Sequence, residues 1–265
     1  MIDAVPDIVA FEADGHIAEI TLNRPEARNA INGAVARGLE AAIDRLEQDP
    51  ELWVGILAAN TEGQERPVFC AGADLKEINA GNAASLTTAR GGFAGFTYRD
   101  RRKPVIVAVD GLATAGGCEI ALAADIVVAT TRSGFGLAEV TRSLIAGAGG
   151  LFRLPRAVGQ GPALDMILTG EPMPAARAYE LGLVARLVEP GMALDAARRL
   201  AGQIAGAAPL AVWESRAVAL AASSENDAVL KRMTDSAMAV VMQSDDITEG
   251  LTAFIEKRDP VWKGR

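Results

Sequence analysis

The chain opens on IVAFEADGHIAEITL, in which apolar and polar residues alternate on both sides of Asp14-Gly15. Alternation puts successive side chains on opposite faces of a pleated strand, and a tight turn needs the positive φ that glycine supplies. The pattern predicts a hairpin. From Gly33 to Gln48 the period changes: Val35, Leu39, Ile43 and Leu46 recur at helical spacing, and Asp49-Pro50 ends the run. Residues 53–59, 105–109 and 125–130 are short, almost wholly apolar runs, as in strands covered on both faces, and 116–124 reads as a helix between the last two. Strand and helix alternate from residue 50 to 130, the pattern of an α/β layered fold.

Around Glu139 the periodicity loosens into loop. Gly147-Ala-Gly-Gly150 opens another helix, and residues 174–181 and 184–188 read as a further helix and strand. Beyond Pro190 the chain is helical, over 192–206, 210–223, 227–243 and 248–257. This predicts an α/β core over residues 1–190 and a helical segment over 191–265 that covers the core or joins copies. Residues 79–92, rich in Gly, Ala, Ser and Thr, read as mobile.

Composition narrows the chemistry. A chain of 265 residues, half of them hydrophobic, can bury a sizeable core without disulfides or metals. A formal charge of -8 excludes general nucleic-acid binding, which needs a cationic footprint, while leaving room for a local basic patch facing a few phosphates. No run of eighteen apolar residues predicts a membrane span, and the first thirty residues lack a secretory or organelle leader, so a cytoplasmic protein with reduced thiols is expected. With His16 as the single histidine and Cys70 and Cys118 far apart, a Ser-His-Asp machine or a zinc site has almost nothing to be built from. His16 itself is expected to be an exposed strand-start residue, and Cys70 a buried small hydrophobe. Any chemistry must lean on carboxylates and backbone.

Three segments fit that requirement: Phe69-Cys-Ala-Gly-Ala-Asp-Leu-Lys76, Asp110-Gly-Leu-Ala-Thr-Ala-Gly-Gly-Cys-Glu119 and Phe135-Gly-Leu-Ala-Glu139. Each places Gly or Ala at a strand end, where uncluttered N–H groups can face a ligand. The second also starts a helix, whose unpaired N–H donors favour an oxygen that is becoming negative. Plainer readings stand beside these. Gly116-Gly117 can serve only to let a helix pack on a strand, and Glu139 can be a solvated loop acid. Glu119, on an otherwise apolar helix, is either buried with a role or paired. Gly147-Ala-Gly-Gly150 is no dinucleotide fingerprint, because Phe152 stands where the last glycine is required, but as a helix-opening loop it still lets backbone approach a ligand.

Taken in order, these segments resemble the crotonase superfamily of enoyl-CoA hydratases and isomerases. Phe69–Lys76 is similar to its F-x-A-G-A-D-[IL]-K segment, Gly116-Gly-Cys-Glu119 with Asp125 to its G-G-C-E-L-A-x-x-x-D helix, and Phe135–Glu139 with Gly147–Gly150 to its F-G-x-P-E and G-x-G-G stretch. Asn23-Arg-Pro-Glu26, Asn29-Ala30 and Asp259-Pro-Val-Trp-Lys263 extend the likeness over nearly the whole chain. The resemblance implies a spiral core of repeated ββα turns, C-terminal helices covering an active site, and a homotrimer or a homohexamer built as a dimer of trimers. It implies that the N–H groups of Ala73 and Gly116 form an oxyanion hole for a thioester carbonyl. It also implies that Ala71 and the segment Ala73, Asp74, Leu75 and Lys76 bind the CoA arm, with Gly116 and Gly147 against the substrate. Arg28, in a cluster with Arg24 and Lys76, would meet CoA phosphates.

Hydratases of this family carry glutamates at the positions of both Glu119 and Glu139, whereas many isomerases keep only the second. The implied activity is reversible syn hydration of a 2-enoyl-CoA, with Glu119 acting on water and Glu139 on C2. No separate cofactor or metal is implied, because CoA is part of the substrate. Alternatives within the fold are a Δ3-Δ2-enoyl-CoA isomerase or a crotonobetainyl-CoA hydratase, and outside catalysis an acyl-CoA-binding homologue. Ala138, Ala146 and Ala115 depart from residues common in the family, and residues 79–98 are expected to line or gate the acyl pocket.

Overall fold

In the computed structural model, which describes residues 7–265, two sheets stack through a shared core. The larger has six strands in the spatial order Val9–Asp14, Ile17–Leu22, Val54–Ala59, Val105–Val109, Ile126–Thr130 and Arg186–Val188. The first two pair antiparallel as the predicted hairpin, turning at Gly15 with φ +54°, and the remaining pairs are parallel. Val105–Val109 is buried throughout, as a parallel strand covered on both faces must be. One face takes the apolar stripe of the Gly33–Gln48 helix, through Val35, Leu39, Ile43 and Leu46. The other takes Ala193, Ala196, Ala197 and Ala201 of the Ala193–Ala205 helix, packed on Val54, Ile56, Ile106 and Val128. The helical segment beyond Pro190 thus begins as one wall of the core.

The smaller sheet runs Met173–Pro174, Gly134–Gly136, Leu112–Thr114 and Val68–Cys70, the last three parallel. Each of those three follows a strand of the large sheet and is followed by a helical turn. This happens at 54–79, 105–123 and 126–142, and it is a ββα spiral. No sequence repeat announces it, because the units differ in length and residues. The three exits, after Cys70, Thr114 and Gly136, come out side by side and carry the three glycine- and alanine-rich segments.

Some expectations need correction. Residues 79–92 are tethered: a Ala83–Leu86 3-10 turn leads into the Thr87–Thr88 and Gly92–Phe93 strand pair, Thr88 Oγ1 donates to Glu40 Oε1 at 2.7 Å, and Leu86 is buried. Around these anchors the segment stays open: residues 79–84 are all exposed. His16 is half-buried, its ring stacked on Trp53 with centroids 3.4 Å apart and Nδ1 2.7 Å from the Glu51 carbonyl. The structure adds a Gln160–Thr169 helix, whose first turn accommodates Gly161 and Pro162. No helix among the described residues is long and apolar enough to cross a membrane.

Candidate active site

The exits line a cavity of about 870 Å³, and all ten sequence-predicted site residues face it: Arg28, Ala71, Ala73, Asp74, Leu75, Lys76, Gly116, Glu119, Glu139 and Gly147. Its backbone donors arise from two local devices. Ile31 forms a parallel bridge with Ala73 by donating to Gly72 O at 2.8 Å and accepting from Asp74 N–H at 2.9 Å. In that geometry the N–H of Ala73 itself points away from Ile31, toward the cavity. Gly116 is the first residue of the Gly116–Ala123 helix, so its N–H has no carbonyl four residues back to bond.

The two glycines divide the readings between them. A methyl group on Gly117 would lie 2.1 Å from the Cys70 carbonyl oxygen, so Gly117 is the close-packing residue, while Gly116 faces the cavity. Ala115 precedes them at φ +50°, ψ -126°, a conformation that suits glycine. It holds about 1–3 kcal/mol of strain. Ala115→Gly is therefore expected to raise stability by about 1 kcal/mol, after the added unfolded-state freedom of glycine is subtracted. A denaturant midpoint that does not rise would contradict this.

Glu119 projects from the first helical turn and is only 3% exposed. Its Oε1 accepts from Ala148 N–H at 2.7 Å and Gly150 N–H at 2.9 Å, so the loop read as a helix opener is the cradle of this carboxylate. Arg153 braces that loop, donating to Ala148 O at 3.0 Å and Thr97 O at 2.6 Å, and Tyr98 Oη donates to Gly147 O at 3.2 Å. Burial pushes the Glu119 carboxyl up to about 7; the two N–H bonds oppose this, and the charge of Glu139 adds to it. Glu139 starts the Glu139–Arg142 3-10 turn. Burial raises its pKa as well, and its Oε2 is buried with no hydrogen-bond partner. Glu119 is thus buried and Glu139 half-buried on the same cavity, and neither is a fully solvated loop acid.

Two predicted roles are modified. Asp74 lines the cavity, but its carboxylate accepts from Arg24 at 2.7 Å and from Lys76 N–H at 3.0 Å, which caps the Leu75–Asn79 helix and holds its pKa below the usual range despite burial. Arg24 is therefore drawn inward, leaving Arg28 and Lys76 as the exposed cations on that wall. Cys70 and Cys118 are buried, and burial pushes the Cys70 thiol up to about 12, which makes it inert. Among the described residues, no group of three His, Cys, Asp or Glu side chains is placed to hold a metal ion. The sequence reading missed the cradle donors Ala148 and Gly150, the brace Arg153, and Gly72, whose α-carbon packs over Gly116. The G-x-G-G spacing was the one available signal for the cradle.

Comparison with known proteins agrees with this architecture. A family model described as enoyl-CoA hydratase/isomerase matches residues 12–265. A carnitinyl-CoA dehydratase of Salmonella agona is 40% identical over 257 residues, 95% of this chain and 97% of that protein. The solved structure of an enoyl-CoA hydratase from Mycobacterium tuberculosis H37Rv superposes with a TM-score of 0.91 at 44% identity, covering 98% of this chain and 100% of that one. A carnitinyl-CoA hydratase from Mycobacterium avium superposes with a TM-score of 0.77 at 41% identity, again over 98% and 100%. With a matched spiral core, two glutamates on one cavity and near-complete coverage by these relatives, the chain belongs to the enoyl-CoA hydratase/isomerase family.

Proposed function

We propose that the protein is an enoyl-CoA hydratase, a hydro-lyase adding water reversibly across the C2=C3 bond of a 2-enoyl-CoA. The observation that carries this is the convergence of a buried glutamate, a half-buried one and two outward N–H donors on one cavity. In the proposed complex the thioester carbonyl oxygen sits between the N–H groups of Ala73 and Gly116, and Arg28 and Lys76 meet CoA phosphates. Glu119, as the carboxylate, takes a proton from water while the water oxygen bonds to C3. The π electrons move toward the thioester, and the developing charge on its oxygen is held by the two donors. Glu139, as the acid, then gives its proton to C2.

Hydrogen bonding supports this division: two N–H groups hold charge on Glu119, and an unpartnered buried oxygen on Glu139 suits a proton awaiting transfer. Dehydration uses the same pair with the proton on Glu119 instead. Two acids that both titrate above the usual carboxylate range serve both directions.

The similarity to carnitinyl-CoA dehydratases favours a second reading, hydration of crotonobetainyl-CoA. A quaternary ammonium is bound best by open aromatic faces. The cavity offers Phe93 and Tyr98, and the Tyr98 ring already faces the Arg153 guanidinium at 5.3 Å, so the general hydratase reading is preferred. Loss of the conjugated enoyl-thioester absorbance with crotonyl-CoA or with crotonobetainyl-CoA, against its gain with a 3-enoyl-CoA, separates hydratase, carnitine-type and isomerase activities. Tight acyl-CoA binding with no turnover on any of them would leave a binding protein. The same proposal includes a cytoplasmic setting and a trimer or dimer of trimers, with the exposed Leu251, Phe254 and Ile255 of the Asp245–Glu256 helix meeting neighbouring copies.

A further inference from the structure

The 3-10 turn that carries Glu139 also carries a cation. In this geometry side chains at i and i+3 eclipse, so Arg142 stands over the same face as Glu139, and both line the cavity. The positive charge of Arg142 acts at the Glu139 carboxyl, drawing its pKa down against burial. Yet the guanidinium makes one hydrogen bond, to the neighbouring Thr141 hydroxyl at 3.3 Å, and no ion pair among the described residues. Arg24 and Arg99, by contrast, are engaged by Asp74 and Asp44. Along the 138–148 wall Arg142 is the one cation facing the cavity; Arg28 and Lys76 belong to the wall of Ala71 and Ala73.

We infer that Arg142 reads the acyl chain, and that the preferred substrates are acyl-CoA thioesters whose chain ends in a carboxylate. This rests on the proposed hydratase reading for its orientation: thioester oxygen at Ala73 and Gly116, C2 and C3 between the glutamates, chain continuing along the 138–148 wall. One 3-10 turn advances about 6 Å, so a carboxylate two or three carbons beyond C3 comes within reach of the guanidinium. A carboxylate matches the planar fork of arginine and can accept two parallel N–H bonds. Leu144 and Ile145, apolar and exposed on the same wall, offer the intervening methylenes a surface. The same charge repels a chain ending in a quaternary ammonium.

The test uses saturated ligands, which cannot be hydrated. Adipoyl-CoA and hexanoyl-CoA have equal chain length and differ by a terminal carboxylate against a methyl group. Calorimetric titration of the full chain is expected to show adipoyl-CoA binding at least about tenfold tighter, the scale of one charge-assisted contact. In Arg142→Gln the ratio of the two affinities is expected to fall close to one, and Arg142→Lys is expected to keep part of it. Equal affinities in the wild type, or tighter hexanoyl-CoA, would overturn the inference. Equal weakening of both ligands by Arg142→Gln would also overturn it, since that marks a contact with the CoA phosphates. A wild type that hydrates no 2-enoyl-CoA yet retains the adipoyl preference would remove the hydratase reading and leave this one standing.

Discussion

Glu119→Gln is expected to lower hydration of crotonyl-CoA by about 10²- to 10⁴-fold, the range for loss of a positioned base, while making the folded chain more stable above neutral pH. The activity loss follows from charge. Glutamine keeps an oxygen that can accept from Ala148 and Gly150, so the cradle survives, but it cannot take a proton from water. The stability gain follows from linkage. A carboxyl whose pKa rises from 4.5 unfolded to about 7 folded binds more protons in the folded state between those values. Its contribution is therefore most favourable below pH 4.5, declines as pH rises, and becomes a full penalty above 7. The penalty is about 3 kcal/mol. Unfolding at pH 8 should show the variant about 1–3 kcal/mol more stable, with the difference vanishing toward pH 4.5. The same titration predicts that wild-type kcat/KM for hydration falls as pH drops through about 7, as the base is lost. Wild-type turnover in Glu119→Gln, or equal stability at both pH values, would remove Glu119 from the role of buried base. Glu139→Gln is expected to lose activity in the same range.

That such a burial cost is tolerated explains how much of the site could be read from the sequence. Glu119 stood out because a charge on an apolar helix conflicts with local pattern, and such conflicts concentrate at functional sites. The parallel strands were legible for a similar reason: burial on both faces leaves continuous apolar runs such as Val105–Val109. The short strands Leu112–Thr114 and Gly134–Gly136 were not, since three residues are too few to display a period. Nor were the donors that hold Glu119, because Ala148 and Gly150 act through backbone N–H groups that any residue but proline carries. Arg142 could not be singled out either. Its significance lies in sharing a 3-10 turn with Glu139, and the turn was read as loop.

Gly72 shows the same limit most sharply and supplies the second large effect. It precedes Ala73 at φ +83°, and a methyl group built on it would lie 2.8 Å from the Gly116 nitrogen and 3.2 Å from the Thr114 carbonyl oxygen. Gly72→Ala therefore crowds one proposed oxyanion donor with a methyl group and strains the backbone that aims the other, without altering either glutamate. Loss of a single such donor costs about 10²–10³ in kcat. Gly72→Ala is expected to lose at least that much, because both donors are disturbed together. Binding of CoA itself should change by less than about threefold, well under 1 kcal/mol, since Arg28, Ala71 and Lys76 keep their places on the wall. Gly116→Ala makes a graded comparison: its methyl would come too close only to the outer ring atoms of Phe93, at 2.4 and 2.5 Å, a side chain rather than backbone, with the Gly72 α-carbon at an ordinary 3.4 Å. Gly72→Ala should accordingly be the more damaging of the two. If it turned over crotonyl-CoA at the wild-type rate in a chain with an unchanged circular dichroism spectrum, the negative charge of the transition state would have to be held somewhere other than at Gly116.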